Sequence, residues 1–273
     1  MAPLTAVAPG ASGAGPAGRG VAAPATLELR GVAKHYGGLR AVDGVSTTAR
    51  PGEVLGIAGP NGAGKTTLFD VVSGLTPATA GEVLLGGESL AGASVHRRCH
   101  RGMARTFQQP TVAGSLTTFE NLLVAARYGR AAEHWDGLGE DPDADAEWAL
   151  AWSGLGERAD TPAELLGVFD KKRLMIATAV VLGPRTLLLD EPFGGLNGAE
   201  IDRTLELIEG VARFGVAVVC IEHVMRALVQ LSARVLVMHQ GRPFFEGSPQ
   251  EMLADRRVIE IYLGEKAARR GGR

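Results

Sequence analysis

The chain has 273 residues, 45% of them hydrophobic, enough for one α/β domain with a sizeable core or two tightly packed subdomains. Its 28 Lys+Arg against 30 Asp+Glu leave a formal charge of -2, so the chain as a whole offers no electrostatic footprint for nucleic acid. Its two cysteines, Cys99 and Cys220, lie far apart and outside C-x-x-C spacing; they indicate neither a disulfide framework nor a zinc site and read as reduced, buried thiols.

Residues 1–25 are mostly Ala, Gly and Pro, without the basic start and unbroken apolar stretch of a secretion signal, and read as a disordered tail. Short apolar stretches predict strands over Thr26–Tyr36 and Val54–Ala58, the second running directly into a glycine-rich turn, with a helix over Lys65–Ser73 behind it. Gly81–Gly86 and Met103–Phe107 read as further strands. Apolar spacing over Thr118–Arg127 and about Ala144–Leu155 is helical, which makes the middle of the chain helix-rich. Alternation then resumes with a helix Lys171–Val181, a buried strand Thr186–Leu189, a helix Glu200–Arg213 and a buried strand Val216–Ile221. Val235–Met238, Gln240-Gly241 and Phe244-Phe245 form a terminal hairpin pattern, and 265–273 is a basic tail. Strand and helix taking turns implies an α/β fold with a parallel sheet covered on both faces. The longest apolar run, Leu174–Leu182, is far short of the ~18 residues of a membrane span, so any membrane contact must come through a partner.

Gly59-Pro60-Asn61-Gly62-Ala63-Gly64-Lys65-Thr66 fits G-x-x-x-x-G-K-[ST] and lies between a predicted strand and a predicted helix, where a phosphate-binding loop belongs. Glycines let the backbone wrap closely, so that successive N–H groups face phosphate oxygens and the helix adds the positive end of its dipole. Lys65 is expected to reach the β- and γ-phosphates of ATP, Thr66 to ligate Mg2+, and Thr67 to donate to the α-phosphate. Leu187-Leu188-Leu189-Asp190-Glu191-Pro192 brings two acids to the carboxyl end of a buried strand. Asp190 is expected to hold Mg2+ through its hydration shell and Glu191 to polarise the attacking water. The next strand ends at Ile221-Glu222-His223, from which an imidazole emerges on the same edge.

In this order and spacing, these motifs resemble the nucleotide-binding subunits of ABC transporters, from about Leu27 to Gly264. The resemblance implies a P-loop NTPase with a RecA-like core, an N-terminal antiparallel β-subdomain and an inserted helical subdomain at about 110–182, within an ATPase domain spanning 26–264. It further implies that Tyr36 stacks on adenine, that Gln108 approaches the metal and senses a membrane partner, and that His223 contacts the γ-phosphate. Gly102-Met103-Ala104-Arg105-Thr106-Phe107-Gln108 and the ending Val258–Gly264 are most similar to subunits of branched-chain amino acid importers, while Gln109-Pro110-Thr111-Val112 and that same ending are also similar to urea-importer subunits, which leaves a urea or short-chain amide importer as the alternative. Such subunits sit on the cytoplasmic face of the membrane with two transmembrane permease subunits, a second ABC ATPase subunit and, indirectly, an extracytoplasmic solute-binding protein.

The chain departs from the family at the Leu-Ser-Gly-Gly-Gln signature, where it has Leu166-Gly167-Val168-Phe169-Asp170: the serine hydroxyl is missing, a ring replaces a close-approach glycine, and Asp170 adds negative charge. Asn197 stands where many relatives carry Asp. These departures suggest either pairing with a different ATPase subunit and unequal composite sites, or a homodimer that tolerates this signature at both sites. They leave open a regulatory module that dimerises on ATP with little hydrolysis.

Overall fold

Three five-residue segments are buried at every position: β3 (Val54–Ala58), β7 (Thr186–Asp190) and β8 (Ala217–Ile221). A strand that is apolar on both faces needs cover on both. That requirement organises the residues described by the computed structural model, 23–129 and 140–262. β3, β7 and β8 run parallel with β6 (Met103–Arg105) and β9 (Arg234–His239), and β10 (Arg242–Gly247) returns antiparallel on β9, giving the order β10-β9-β3-β8-β7-β6.

One face is closed by α1 (Lys65–Ser73) and by an antiparallel sheet of order β2-β1-β4-β5, built from β1 (Leu27–Tyr36), β2 (Leu39–Ala49), β4 (Ala80–Leu85) and β5 (Glu88–Ser89). Leu29, Val45 and Val83 meet Leu68, Phe69, Leu188 and Val219 in that core. The opposite face takes Leu187, Leu189, Val218 and Cys220, the alternate residues of the same strands, against α5 (Val168–Val181) and α6 (Gly198–Arg213). Each fully buried Leu in these layers contributes about 2 kcal/mol of transfer free energy.

α5 has a second duty. Its Leu174, Ala177 and Val181 pack with Leu122 and Ala126 of α3 (Thr118–Tyr128) and with Ala146, Ala149 and Leu150 of α4 (Pro142–Trp152) in a separate apolar cluster. Small alanines on facing helices allow close approach. Trp148 and Trp152 stack at 5.8 Å between centroids, and both rings meet Phe214 at the end of α6, at 5.9 and 5.7 Å. α7 (Met225–Leu231) and α8 (Pro249–Ala254) close the far edge, their Leu228 and Met252 packing with Val235 and Val237 of β9.

The architecture is the expected one, with local differences. β2 has no counterpart in the sequence reading, because Asp43 and Gly44, the latter at φ +74°, break its alternation; its pairing with β1 is correspondingly irregular. β6 stops at Arg105, and Phe107 and Gln108 leave the sheet for solvent. α5 begins at Val168 rather than Lys171, and α4 at Pro142, where the Asp141 side chain accepts from the Asp143 and Ala144 amides. The short helices α2 (Val95–His100), α7 and α8, and a helical stretch over 256–262, carry too few turns for a periodic signal. The expected hairpin is β9–β10, turned by Gln240 and Gly241 at φ +50° and +80°. Of the two thiols expected to be buried, only Cys220 is; Cys99 on α2 is half-buried. The tail at 265–273 lies outside the described residues, as does all of 1–25 but its last three. No described helix is long and apolar enough to cross a membrane.

One buried amide organises the loop ahead of α3. Asn121 accepts from the Ala113 amide at 2.9 Å and donates to the carbonyls of Ala113, Leu116 and Thr117 at 3.1, 3.4 and 2.9 Å. Asn121→Ala strips these bonds and leaves the Ala113 amide without its described partner, while the three carbonyls keep backbone donors, so urea unfolding is expected to show a loss of about 1 kcal/mol. An unchanged midpoint would mean that the loop is held by other contacts.

Candidate nucleotide site

The turn between β3 and α1 is a place where side chains do not fit. Gly59, Gly62 and Gly64 have φ of +139°, +76° and +96°. A Cβ on Gly59 would lie 2.2 Å from the Met238 carbonyl oxygen, and one on Gly64 would lie 2.1 Å from that of Ala41. The loop is thus wedged against β9 and β2 and can hold its curvature only with glycine at these positions. Gly64 caps α1 without any side-chain hydrogen bond, and the first turn carries no acid, so the leading amides of the helix are available to an anion. Lys65 is 6% exposed, and its Nζ donates to the carbonyls of Gly59 and Pro60 at 2.7 and 2.8 Å, which holds the ammonium across the loop. Asn61 and Thr66 are exposed, Ala63 is buried, and Thr67 is half-buried. Backbone amides, an ammonium and two hydroxyls form a donor set that fits a polyphosphate.

The carboxylates stand beside this cradle at the ends of β7 and β8. Asp190 is 5% exposed; burial pushes its carboxyl upward, and the Arg105 guanidinium is the chief opposing influence. Arg105 donates from Nη2 to Asp190 Oδ2 at 3.3 Å and from Nη1 to Asp70 Oδ1 and Ser73 Oγ at 2.7 and 3.0 Å. Glu191 adopts φ +50°, a left-handed conformation costing a side-chain-bearing residue of order 1 kcal/mol. That kink turns its carboxylate out of the strand and between two partners: Gln108 Nε2 donates to Oε2 at 2.8 Å, and His223 Nε2 lies 2.9 Å from Oε1. Four sequence-predicted residues, Gln108, Asp190, Glu191 and His223, are thereby gathered beside the loop. Tyr36 ends β1, half-exposed, and its described ring partner is the Lys34 ammonium, 4.9 Å from the centroid. Thr66 and Asp190 carry oxygens suited to a hard divalent cation, and the Gln108 carbonyl adds a third.

Three charged residues given no role in the sequence reading complete the site. Arg105 is one. Glu222 is another: at 2% exposure it accepts amides from His223 and Val224 on Oε1, both at 2.8 Å, and from Phe193 on Oε2 at 3.2 Å. The third is Lys172 of α5, 4% exposed, whose Nζ donates to the Glu191 carbonyl at 2.8 Å. Burial lowers the Lys172 ammonium and raises the Glu222 carboxyl. Glu222 directly precedes His223, Lys172 lies two residues past Asp170 in a run of charges, and Arg105 lies three residues before Gln108; a charged residue closing an apolar strand, as at Arg105 and Glu222, is the signal that could have marked two of them.

The signature region differs from the expectation in one respect. Asp170 does not present a bare charge: Arg173 pairs with it at 2.5 Å, with Arg158 at 3.8 Å, and the Arg173 guanidinium also covers the Phe169 ring at 4.4 Å. Gly167 caps α5 with no side-chain hydrogen bond, and Val168 is half-exposed. Asn197 caps α6, accepting from the Glu200 amide at 3.1 Å while Glu200 accepts from the Asn197 amide at 2.8 Å.

Comparison with known proteins follows the same lines. A family model described as "ABC transporter" matches residues 42–194, and one described as "Branched-chain amino acid ATP-binding cassette transporter" matches residues 242–268. The high-affinity branched-chain amino acid transport ATP-binding protein BraF of Pseudomonas aeruginosa is 36% identical over 250 residues, covering 88% of this chain and 98% of its own; LivG of Escherichia coli K12 gives the same figures. The lipopolysaccharide export system ATP-binding protein LptB of Escherichia coli K12 is 31% identical over 242 residues, with the same coverage. Among solved structures, a nucleotide-free ATP-binding cassette from an ABC transporter superposes with a TM-score of 0.78 at 26% identity, over 87% of this chain and 98% of that one. A cassette in its ADP conformation gives 0.78 and 26%, over 88% and 99%.

The raised Glu222 carboxyl has a consequence for stability. Between its unfolded value and its higher folded one, the folded state binds more protons, so the stability it contributes at low pH is lost as pH rises through that window. Glu222→Gln removes this slope. The unfolding free energy of the variant minus that of the parent is expected to climb with pH over the window, and parallel curves would refute the account.

Proposed function

This chain belongs to the ABC-transporter family of ATP-binding subunits and is an ATPase, and from that premise we propose that it powers the uptake of branched-chain amino acids. One observation carries the choice of solute: 36% identity across nearly all of BraF and LivG, joined to the terminal match at 242–268, against 31% for LptB. With no membrane-crossing helix among the described residues, the translocation path belongs to other chains. The proposed assembly has two transmembrane permease subunits, a second ABC ATPase subunit and, indirectly, an extracytoplasmic solute-binding protein, with this chain peripheral on the cytoplasmic face.

In the proposed mechanism, the adenine of ATP stacks on Tyr36 and its phosphates enter the cradle of Gly59, Pro60, Asn61, Gly62, Ala63 and Gly64. Lys65 turns from the loop carbonyls to the β- and γ-phosphates, and Thr67 donates to the α-phosphate. Thr66, Gln108 and Asp190 would hold Mg2+, which when bound would supply charge neutralisation at the phosphates. The Glu191 carboxylate accepts a proton from the attacking water as general base. Gln108 and His223, one on each of its oxygens, fix the direction in which it acts. The backbone kink at Glu191, supported by Lys172, keeps that carboxylate facing the cradle. An intact base with both partners in place favours hydrolysis over a purely regulatory module.

The altered signature supports pairing with a different ATPase subunit. Without a serine hydroxyl, and with Phe169 and Arg173 stacked at the head of α5, this chain has little to offer a nucleotide on its partner. Its own loop would be closed by the partner's signature and would carry most of the turnover.

Lys65→Ala is expected to weaken ATP binding by equilibrium titration about 100-fold; unchanged affinity would remove the basis of the proposal. Glu191→Gln is expected to bind ATP normally and to lower single-turnover hydrolysis by the assembled complex at least about 100-fold. Near-complete activity with Glu191→Gln in this chain alone would assign the asymmetry to the wrong site.

A further inference from the structure

The Arg105 guanidinium bonds one of the three residues proposed to hold the cation, Asp190, and is linked through the chain to the other two. It lies at the end of β6, three residues before Gln108, and bonds Asp190 Oδ2 with Nη2. With Nη1 it bonds Asp70 and Ser73, both on α1, the helix whose second residue is Thr66. Asp70 stands four residues beyond Thr66, one helical turn along the same face. One planar group thus connects the segments that carry Thr66, Gln108 and Asp190.

The group has little freedom to move. Its side chain is 7% exposed, with the Phe69 and Phe107 rings 5.5 and 4.9 Å from its central carbon. Its Nε has no hydrogen-bond partner among the described residues, so the fork is held by its two ends alone. Asp190 Oδ2 is committed to Arg105, while Oδ1 takes no described hydrogen bond and is the oxygen left for a cation. A guanidinium can span two carboxylates in this fixed geometry; an ammonium can serve one at a time.

We propose that Arg105 is a positioning residue for the metal: by pinning one Asp190 oxygen and tying β6 to α1, it sets the spacing of the oxygens that receive Mg2+. The inference rests on the reading of Asp190 as a holder of Mg2+. It gives the strand leading into Gln108 a direct connection to the phosphate-loop helix, independent of the contact between Gln108 and Glu191.

The test is the Mg2+ dependence of binding of a fluorescent, non-hydrolysable ATP analogue to the full chain. Affinity in excess EDTA is expected to be the same within about twofold for the parent and Arg105→Met, while the Mg2+ concentration giving half of the metal-dependent gain rises about tenfold in the variant. Arg105→Lys should fall between them, at about threefold, and serves if Arg105→Met proves too unstable to purify. A parent-like Mg2+ response in a folded variant would reduce Arg105 to a structural counter-ion, and tighter Mg2+ would make it a competitor of the cation; either overturns the proposal. Asp190→Asn separates the two levels. If it leaves the Mg2+ response unchanged, the metal assignment itself fails, whereas a shift there without one in the Arg105 variants rejects the positioning role alone.

Discussion

Three carboxylates, Asp190, Glu191 and Glu222, crowd the ends of two neighbouring strands, and the rest of the site is arranged around keeping them there. Two, Asp190 and Glu222, are almost wholly buried, and the nearby Glu191 charge adds to the cost of ionising both. Burying a charge is unfavourable unless it is paired or hydrogen-bonded. The fold answers each acid with donors of a different kind: a guanidinium from β6 for Asp190, an amide and an imidazole for Glu191, and three backbone N–H groups for Glu222. Because these donors come from separate elements, satisfying the acids also fixes how β6, β7 and β8 terminate relative to one another.

The same economy applies on the phosphate side. The loop has no side chains at its tightest points because β2 and β9 press on it through their carbonyls, so in the proposed mechanism amides rather than side chains receive the phosphates. Lys172 extends this logic to the helices. It projects from α5 into the layer below and caps the Glu191 carbonyl, so the helix that begins with the altered signature is attached to the peptide carrying the proposed base. A change at either is mechanically close to the other.

Contiguous features were legible in the sequence. The phosphate loop spans eight consecutive residues, and Asp190-Glu191 follows an unbroken apolar run, so both could be read without knowing the fold. The five-residue buried strands and the hairpin turn at Gln240-Gly241 were equally local. What escaped was decided by packing. Arg105, Lys172 and Glu222 acquire their importance from partners that are 85, 19 and 29 residues away in the chain. β2 was hidden by a bulge at Gly44, and the start of α5 by a glycine cap with no side-chain signal. The charge of Asp170 was visible, but its neutralisation by Arg158 and Arg173 was not, since that depends on how the turn ahead of α5 folds back.

The aromatic contact between α4 and α6 has a practical side. Trp148 and Trp152 lie where the helices above the sheet rest on Phe214; Trp148 packs against both apolar clusters, and Trp152, stacked on it, against the one that faces the sheet. Indole emission is sensitive to local polarity, and a seam that slides or opens would change the water around both rings together. With the third indole, Trp135, replaced, their emission becomes an optical gauge of how the helical layer sits on the sheet, readable without any attached dye.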